Sequence, residues 1–338
     1  HIGEITAVSE IDYVIVNHME PDHTGVLRTL KRIAPDVTVL GSPRTKGLLE
    51  SFCGITENVK VVEDGETLSL GKRTLQFFST PLVHWPETMM TYEKSHHILF
   101  SCDAFGGYGA LRGAIFDDEC ANLDFYQEES LRYYVNIVAN FSKPVLRAIE
   151  KLGGVPVEII APSHGLIWRE RPQLIVDLYK KWAEYAIGPT EAGITLVYGS
   201  MYGNTETMMN AVAQGISHEG VPLEIFDVAR THVSYILPSL WTKSGVMVGA
   251  PTYEGKMFPP MAQVLEMAAL KRVSNKKVAM FGSYGWSGGA LKNLQKIVEP
   301  VKWDLVDSLE FAGRPTGEDL RKGEELGARF AKIIKAQG

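Results

Sequence analysis

Residues 16–23 read "VNHMEPDH", which places two histidines and two acids within six positions, directly after an apolar run. Imidazole and carboxylate groups together are ligands that suit Fe, Mn and Zn. We expect alternate residues of the segment to project on one side of an extended turn, with His23 at the start of a helix. A single catalytic metal that keeps an open position needs fewer protein ligands than this. The segment therefore predicts half of a two-metal site, with the candidate ligands His18, Glu20, Asp22 and His23.

Three further candidate ligands lie where predicted strands end. Asp103 in "SCDAFGG" and His164 in "APSHG" directly follow apolar strands, and His84 in "PLVHWPE" comes three residues after one. Each of these alone is more often a surface turn residue or a packed core histidine. With the first segment they make four histidines and three carboxylates, which is enough for two metals that share Asp103 as a bridging ligand.

The first half of the chain is predicted to be a layered αβ/βα fold. Several of its strands end in His or Asp, which brings polar residues to one edge of the sheets. Helical spacing covers residues 22–35, with Pro35 as a stop, and residues 124–152. Strands are predicted at residues 11–17, 37–42, 59–65, 73–81, 96–107 and 157–165.

The order of the predicted strands and helices changes after "GPTEAG" at residues 188–193. We place the domain boundary there, near residue 190. Five strands then alternate with helices, the pattern of a doubly wound parallel sheet. The strands are predicted at residues 194–200, 221–228, 244–252, 276–285 and 304–311, with helices beginning near 204, 232, 258, 288 and 317. A chain of 338 residues is also longer than a typical single core, so two domains are expected, at residues 1–189 and 190–338.

The segment "YGSMYGNTE" at residues 198–206 lies at a strand end and opens a helix. The side chains of Ser200 and Thr205, with the backbone N–H groups around Gly203 and Asn204, suit a phosphate at the helix N-terminus. The segment is neither GxGxxG nor GxxxxGK[ST], so a dinucleotide fold and a P-loop NTPase are both disfavoured.

The order HxExDH…H…D…H resembles the metallo-β-lactamase superfamily, and specifically its flavodiiron branch. Hydrolases of the superfamily typically carry HxHxDH, whereas Glu20 stands here in place of the second histidine. This hard anionic oxygen fits iron held for redox work better than a zinc hydrolase. "HWPETMMTY" (84–92) and "CDAF" (102–105) also resemble flavodiiron segments. The resemblance implies one iron at His18, Glu20 and His84, a second at Asp22, His23 and His164, and Asp103 as the bridge.

The loop at 198–206 resembles the phosphate loop of flavodoxins, which bind FMN. The strand ends "APTYEGKMF" (250–258) and "GSYGWSGGA" (282–290) would then hold the flavin ring, with aromatic side chains for stacking and glycines for close backbone approach. The residues expected to bind FMN are Ser200, Met201, Tyr202, Gly203, Asn204, Thr205, Pro251, Thr252, Tyr253, Glu254, Gly255, Ser283, Tyr284, Gly285, Trp286, Gly288 and Gly289.

The order of a diiron domain and a flavodoxin-like domain resembles flavodiiron proteins over essentially the whole chain. The resemblance implies reduction of O2 to water or NO to N2O by two irons, with FMN relaying electrons. It also implies a head-to-tail homodimer or tetramer, in which the FMN of one subunit serves the irons of another. In the helical "RYYVNI", Tyr133 and Tyr134 offer a phenol near the site, and Tyr134 is assigned the catalytic role beside Asp103.

The chain departs from the family pattern in three places. His18 comes so early that the opening strands of the first domain are expected to be missing. "CDAFGGYG" has no histidine where many relatives have "DAFGQH", which leaves the choice between O2 and NO open. No rubredoxin module with four cysteines follows, so electrons are expected from a separate donor, such as a rubredoxin, a reduced deazaflavin or a flavin reductase.

Composition narrows the alternatives. A net charge of −6 without a basic block disfavours nucleic-acid binding, and no apolar run approaches the roughly 18 residues of a membrane span. Cys53, Cys102 and Cys120 form no CxxC pair, which indicates a reducing, cytoplasmic setting. Three other functions stay open: a dinuclear metallo-β-lactamase-type hydrolase with an appended flavodoxin-like domain, a pure electron carrier with a structural metal domain, and a gas sensor.

Overall fold

The computed structural model describes residues 2–337, so the outermost residues of the predicted domains, His1 and Gly338, lie outside it. The chain divides into two compact units, and the division falls between Ala183 and Glu184. Residue 190, the predicted boundary, directly precedes the first strand of the second unit. Among the described residues, no helix has the length and apolar character that crossing a membrane requires.

The first unit contains six helices and eight strands among its described residues. The helices are α1 (Pro21–Thr24), α2 (Leu27–Ile33), α3 (Pro43–Leu48), α4 (Leu123–Tyr133), α5 (Ser142–Leu152) and α6 (Pro172–Glu184). The strands are β1 (Tyr13–Val16), β2 (Thr38–Gly41), β3 (Val59–Val61), β4 (Thr67–Ser69), β5 (Thr74–Ser79), β6 (Met89–Glu93), β7 (Ile98–Cys102) and β8 (Ile159–Pro162).

Two sheets of the first unit face each other across an apolar core. The order β1-β2-β3 is parallel, and the second sheet has the order β4-β5-β6-β7-β8. Because successive strand residues point to opposite faces, Leu40 packs with Phe77 and Met89 between the sheets, while Val39 packs with Leu27 on the helix side. This is the predicted αβ/βα layering.

The strand directions explain why the candidate ligands meet. Strands β5 and β7 are both antiparallel to β6, and β7 is parallel to β8, so β5, β7 and β8 run in the same direction. Their carboxyl ends therefore share one sheet edge. His84 follows β5, Asp103 directly follows β7, and His164 follows β8.

Three features of the first unit differ from expectation. Strands β4 and β6 were not predicted. Strand β4 has only three residues, and β6 is buried along its whole length and shows no alternation of polar and apolar residues. The helix predicted at 22–35 is two helices, α1 and α2, separated at Gly25 and Val26. The helical stretch 124–152 is interrupted between α4 and α5 by a π turn at Tyr134–Val138 and a 3-10 turn at Ala139–Phe141.

The second unit confirms the predicted doubly wound sheet. Its order, β10-β9-β11-β14-β15, is parallel throughout. The strands are β9 (Glu191–Tyr198), β10 (Leu223–Asp227), β11 (Lys243–Gly249), β14 (Lys277–Tyr284) and β15 (Asp304–Ala312), with a small hairpin of β12 (Thr252–Tyr253) and β13 (Lys256–Met257) that was not predicted. The helices are α7 (Asn204–His218), α8 (Val233–Thr242), α9 (Pro259–Leu270), α10 (Ala290–Val298) and α11 (Gly317–Lys335).

Candidate metal centre and cofactor pocket

The HxExDH segment leaves strand β1 and enters a single helical turn. Pro21 is the first residue of α1, where its missing N–H costs nothing. The hydroxyl of Thr24 donates to the carbonyls of Met19 and Glu20, each at 3.1 Å, and so fixes the turn. The expectation of an extended turn through Asp22 is therefore wrong, because proline starts the helix two residues before His23.

One group of four side chains converges in the first unit. The Nε2 atoms of His18 and His84 lie 3.3 Å and 3.1 Å from Oε2 of Glu20. The same two nitrogens lie 3.5 Å and 3.1 Å from Oδ2 of Asp103. Because two ligands of one ion are about 3 Å apart when each is about 2.1 Å from it, these spacings suit a single metal position.

A second group converges beside the first. Oδ2 of Asp22 lies 3.5 Å from His23 Nε2 and 3.2 Å from His164 Nε2. Oδ1 of Asp103 lies 3.0 Å and 3.4 Å from the same two nitrogens. The two oxygens of the Asp103 carboxylate thus face different groups, as a bridging ligand requires.

The environment of Asp103 keeps this carboxylate ionised. Burial alone raises the pKa of Asp103, but the nearby imidazoles of His164, His23 and His84 outweigh burial and lower the pKa far below its ordinary value. The side chain is 2% exposed, so it holds a negative charge in a nearly dry position. Such a charge is stable only beside positive partners.

The residues present fit a pair of metal ions. His23 Nε2 and His84 Nε2 are buried and form no hydrogen bond among the described residues, although each lies 3.0–3.1 Å from an Asp103 oxygen. Within each group of ligands the ring nitrogens and carboxylate oxygens lie within 4.8 Å of one another, close enough to share one ion. Glu20, Asp22 and Asp103 also bring three carboxylates to four imidazoles, an anionic set that two cations would balance.

A buried carboxylate that sequence reasoning missed lies behind the first group. Oε1 of Glu87 lies 2.7 Å from Nδ1 of His18 and accepts a 2.9 Å hydrogen bond from the backbone N–H of Met19. The indole of Trp85 contacts the His18 ring edge-on, with centroids 4.9 Å apart. A signal was present, since Trp85 and Glu87 closely follow the ligand His84 within "HWPE".

Tyr133, not Tyr134, borders the metal ligands. The Tyr133 ring contacts His164, with centroids 5.6 Å apart. Tyr134 is instead buried against Tyr179 and Trp182, and its hydroxyl shares a 2.7 Å hydrogen bond with Ser142. The assignment of Tyr134 is corrected here, because α4 ends at Tyr133 and the π turn that follows directs Tyr134 into the core.

Cys102 also lies at the second group. Its sulfur is 3.9 Å from Oδ1 of Asp103 and 3.8 Å from the hydroxyl of Ser163. Burial, together with the charge of Asp103, raises the pKa of the Cys102 thiol well above its ordinary value, so the thiol stays protonated. Sequence reasoning considered this cysteine only for its spacing.

The cofactor pocket of the second unit opens at the carboxyl ends of the parallel strands. It has a volume of about 420 Å³, within the range of about 300–1,000 Å³ for small-molecule sites. Fourteen residues line it, thirteen of which were predicted: Ser200, Met201, Tyr202, Asn204, Thr205, Pro251, Thr252, Tyr253, Glu254, Ser283, Tyr284, Gly285 and Trp286. The fourteenth is Gly313, just after β15, in a loop that sequence reasoning did not consider.

The pocket fits a flavin phosphate and ring. The Ser200 hydroxyl accepts a 3.0 Å hydrogen bond from the N–H of Gly203, which has φ +83° and starts α7. Asn204 and Thr205, the first two residues of α7, line the pocket, and the N–H groups at the start of a helix suit a phosphate. Trp286 is 96% exposed and Tyr202 is 85% exposed, so flat aromatic surfaces stand open beside the cavity.

Four glycines that were predicted to bind FMN lie outside the lining of the pocket. A Cβ on Gly289 would lie 2.2 Å from the carbonyl oxygen of Gly255, so these two glycines let the loops after β11 and β14 touch. Gly288 lies beside the carboxylate of Glu310. Gly203, the fourth predicted residue outside the lining, opens α7.

The fold and the two sites define a protein with two units, one with ligands for two metal ions and one that is flavodoxin-like. Comparison with known proteins gives the same two units. Residues 1–165 match the model of the ODP family beta lactamase, and residues 196–327 match Flavodoxin. The anaerobic nitric oxide reductase flavorubredoxin of Escherichia coli K12 is 37% identical over 335 aligned positions, which cover 96% of this chain and 68% of the relative.

Solved structures give the same result. The rubredoxin oxygen:oxidoreductase of Desulfovibrio gigas superposes with a TM-score of 0.93 at 30% identity, covering 99% of this chain and 84% of that one. The flavodiiron protein of Giardia intestinalis has a TM-score of 0.93 at 27% identity, covering 99% and 82%. The chain belongs to the flavodiiron protein family.

Proposed function

We propose that this protein is a flavodiiron oxidoreductase that reduces O2 to water or NO to N2O, with FMN and a non-haem diiron pair as its cofactors. The names of its relatives, a nitric oxide reductase and an oxygen oxidoreductase, support this. The single observation that carries the proposal is the Asp103 carboxylate, whose two oxygens face two separate groups of ligand side chains.

We assign the ligand roles from this convergence. One iron would be held by His18, Glu20 and His84, the other by Asp22, His23 and His164, and Asp103 would be shared between them. When bound, FMN supplies electrons taken up in pairs and released singly, and the two irons supply the site where a diatomic gas is bound and reduced. Three carboxylates and four imidazoles would hold the two irons, a mixed oxygen and nitrogen ligand set that suits iron.

The chain's other residues orient these ligands. The Glu87 carboxylate accepts a hydrogen bond from the Nδ1–H of His18, which leaves the Nε2 lone pair free to bind a metal. Tyr133 covers His164, and its burial keeps the phenol protonated because burial raises its pKa. In the second unit, the loop at Ser200 and the start of α7 would hold the FMN phosphate, and the aromatic side chains around the pocket would hold the ring.

The proposal extends to the electron donor, the oligomeric state and the cellular compartment of the protein. We assign a separate one-electron donor, such as a rubredoxin, or a reduced deazaflavin. A head-to-tail homodimer or tetramer would let the FMN of one subunit serve the irons of another, and the protein is proposed to work in the cytoplasm.

Two observations favour the oxidoreductase over a dinuclear hydrolase. Glu20, at 3.1 Å from His84 Nε2, gives the first group an anionic oxygen ligand suited to iron. The cofactor pocket of the second unit, which hydrolysis would not need, is open and fully formed. A pure electron carrier is disfavoured because a structural site closes with four ligands, whereas seven converge here.

An anaerobic stopped-flow experiment tests the proposal. The metal-analysed protein is fully reduced and mixed with O2 or NO in separate runs while the flavin absorbance is followed. We expect rapid reoxidation by at least one gas, lost in Asp103→Ala and retained in His96→Ala, a control at an exposed histidine of the same unit. Slow reoxidation by both gases in the iron-loaded protein would refute the proposal and favour the hydrolase.

A further inference from the structure

A cysteine lies among the ligands proposed for the second iron. Cys102 is the last residue of β7 and directly precedes Asp103. Its Sγ atom lies 3.9 Å from Oδ1 of Asp103, the oxygen that faces Nε2 of His23 at 3.0 Å. We call His23, Cys102 and Asp103 the thiol site, because one ligand atom from each lies within 4.8 Å of the other two. No ligand role assigned above uses the sulfur.

The spacings within the thiol site suit one metal ion. A thiolate sulfur binds Zn²⁺ at about 2.3 Å, and an imidazole nitrogen or a carboxylate oxygen binds it at about 2.1 Å. In a tetrahedral arrangement the sulfur and the oxygen are then about 3.6 Å apart. The observed Sγ–Oδ1 distance of 3.9 Å is close to this value, so a small rotation of the Cys102 side chain completes the geometry.

The donor atoms of the thiol site have weak competing contacts. His23 Nε2 is buried and forms no hydrogen bond among the described residues. The Cys102 thiol donates to Oδ1 of Asp103 at 3.9 Å, and its sulfur accepts from the hydroxyl of Ser163 at 3.8 Å. Because hydrogen bonds of this length are weak, little is lost when the sulfur binds a cation instead. Cys102 is 4% exposed, which shields a bond between metal and sulfur from water.

A small cavity provides room for an ion at these residues. It has a volume of about 150 Å³ and is lined by residues that include His18, His23, Cys102 and Ser163. A water molecule takes up about 30 Å³ of liquid, so the cavity has room for an ion and several waters. Three protein ligands and one water from the cavity would complete a four-coordinate site.

The other metal position has no sulfur ligand. Its group consists of His18, Glu20, His84 and Asp103, which offer only nitrogen and oxygen. Thiolate sulfur is a soft ligand that favours Zn²⁺ and the chemically similar Cd²⁺ over ions that prefer oxygen. The two positions therefore differ in the ions they prefer, and the difference comes from Cys102.

We propose that the thiol site holds a thiophilic, redox-inactive divalent ion such as Zn²⁺ or Cd²⁺, which competes with iron for the second position. The ion forms a bond to the sulfur of Cys102 and displaces the thiol proton, which passes to water; no electron is transferred. The inference rests on the proposed function only in that the same position would hold iron. Because His23 and Asp103 serve both ions, one thiophilic ion per chain excludes the iron pair.

The test follows the formation of a bond between cadmium and sulfur. The metal-free full chain is titrated with Cd²⁺ while the ultraviolet charge-transfer absorbance of cadmium-bound thiolate is recorded. We expect the first equivalent to give this absorbance in the parent but not in Cys102→Ser, which should bind that ion at least about tenfold more weakly. The matched control is Cys120→Ser, which should behave as the parent. Cys120 is partly exposed and belongs to no group of potential ligands among the described residues.

X-ray absorption at the cadmium edge of the unmodified protein is a second measurement, which does not depend on how a variant folds. With one equivalent of Cd²⁺ bound, we expect one sulfur neighbour together with nitrogen and oxygen neighbours. Nitrogen and oxygen neighbours alone would overturn the thiol site. A charge-transfer absorbance that persists in Cys102→Ser would overturn it as well, because the sulfur would then come from another residue.

The competition with iron is read from the gas chemistry. The unmodified protein is loaded with iron, with or without one equivalent of Cd²⁺ added first, then photoreduced and mixed with O2 or NO. Rapid flavin reoxidation that is lost when Cd²⁺ is bound first supports competition at the second position, and reoxidation that persists would overturn it. Failure of reoxidation in the cadmium-free protein would contradict the proposed function and would leave the bond between cadmium and sulfur as an independent test of the thiol site.

Discussion

His18 and Glu87 form a buried hydrogen bond of 2.7 Å that determines which imidazole nitrogen faces the metal ligands. Burial raises the pKa of Glu87, but the contacts with His18 and the N–H of Met19 outweigh it and lower the pKa, so the carboxylate is ionised and can only accept. Nδ1 of His18 therefore carries the proton, and Nε2 is free to bind metal. This anion makes the two proposed iron positions unequal.

Glu87→Gln removes the charge and keeps the shape and both hydrogen bonds. We expect the affinity of the metal-free protein for one of two Co²⁺ ions to fall about 10- to 100-fold, because the ligand His18 becomes less basic. The second ion should bind as before. Competition titration with a chromophoric chelator measures both steps.

Glu93→Gln is the matched control for this change. Glu93 is also a buried carboxylate of the first unit, but it accepts hydrogen bonds from the N–H groups of Ser95 and His96 in a hairpin. Both Co²⁺ affinities should be unchanged in this variant. Equal affinities in Glu87→Gln and the parent would show that the carboxylate does not tune the site.

Two adjacent tyrosines should respond differently to removal of the hydroxyl. Tyr133→Phe removes the hydroxyl of the ring that packs against His164, and we expect the rate of flavin reoxidation by gas to fall at least about tenfold, because a phenol that stays protonated can stabilise developing negative charge by donating a hydrogen bond. Tyr134→Phe loses the hydrogen bond to Ser142 and should cost about 1 kcal/mol of unfolding free energy with no change in rate.

Stopped-flow reoxidation and urea denaturation of both variants check this pair. Iron content must match the parent for the rates to be compared. A rate loss in Tyr134→Phe without one in Tyr133→Phe would restore the assignment made from the sequence.

The sequence was sufficient to predict site residues whose position depends only on the direction in which a strand runs. Asp103 and His164 could be placed at one sheet edge because each comes at the end of an apolar strand, and parallel strands end at the same edge. The second unit was predicted almost completely, since its strands alternate with helices at regular spacing. The local sequence pattern is therefore sufficient to predict a site residue that a single strand or loop brings to the site.

Tertiary packing decided the rest. Glu87 lies 69 positions from His18, and nothing in the spacing of "HWPE" shows which imidazole it contacts. The choice between Tyr133 and Tyr134 depends on a π turn, which adds a residue to the helical period and has no clear sequence signal. Strand β6 was missed because both of its faces are buried.

Two glycines of the second unit give a matched test of the flavin pocket. Gly289→Ala would place a Cβ 2.2 Å from the carbonyl oxygen of Gly255 and force the loops apart, whereas a Cβ on Gly317, at the start of α11 and outside the pocket lining, meets nothing within 4 Å. We expect FMN to bind at least about tenfold more weakly to Gly289→Ala and within about threefold of the parent to Gly317→Ala. Quenching of FMN fluorescence by the flavin-free proteins measures both, and equal affinities would contradict a role for loop contact.

Lys276 predicts how the stability of the second unit depends on pH. Burial lowers the pKa of Lys276 from 10.5 to about 7 in the folded protein. Between these values the unfolded chain binds more protons than the folded one, so stability rises with pH, by up to about 1.4 kcal/mol per pH unit. Lys276 donates to the carbonyls of Trp241 and Lys243 at 2.9 Å and 2.5 Å, which explains why it is tolerated inside.

Lys276→Met should flatten this dependence and lower stability at pH 9, because the two carbonyls lose their donor. Lys277→Met is the control, since the neighbouring lysine is partly exposed and pairs with Asp304 at 2.5 Å. Urea denaturation of the three proteins between pH 7 and 9 gives the slopes. If the slope of Lys276→Met equals that of the parent, Lys276 stays charged in the fold and another group controls the dependence on pH.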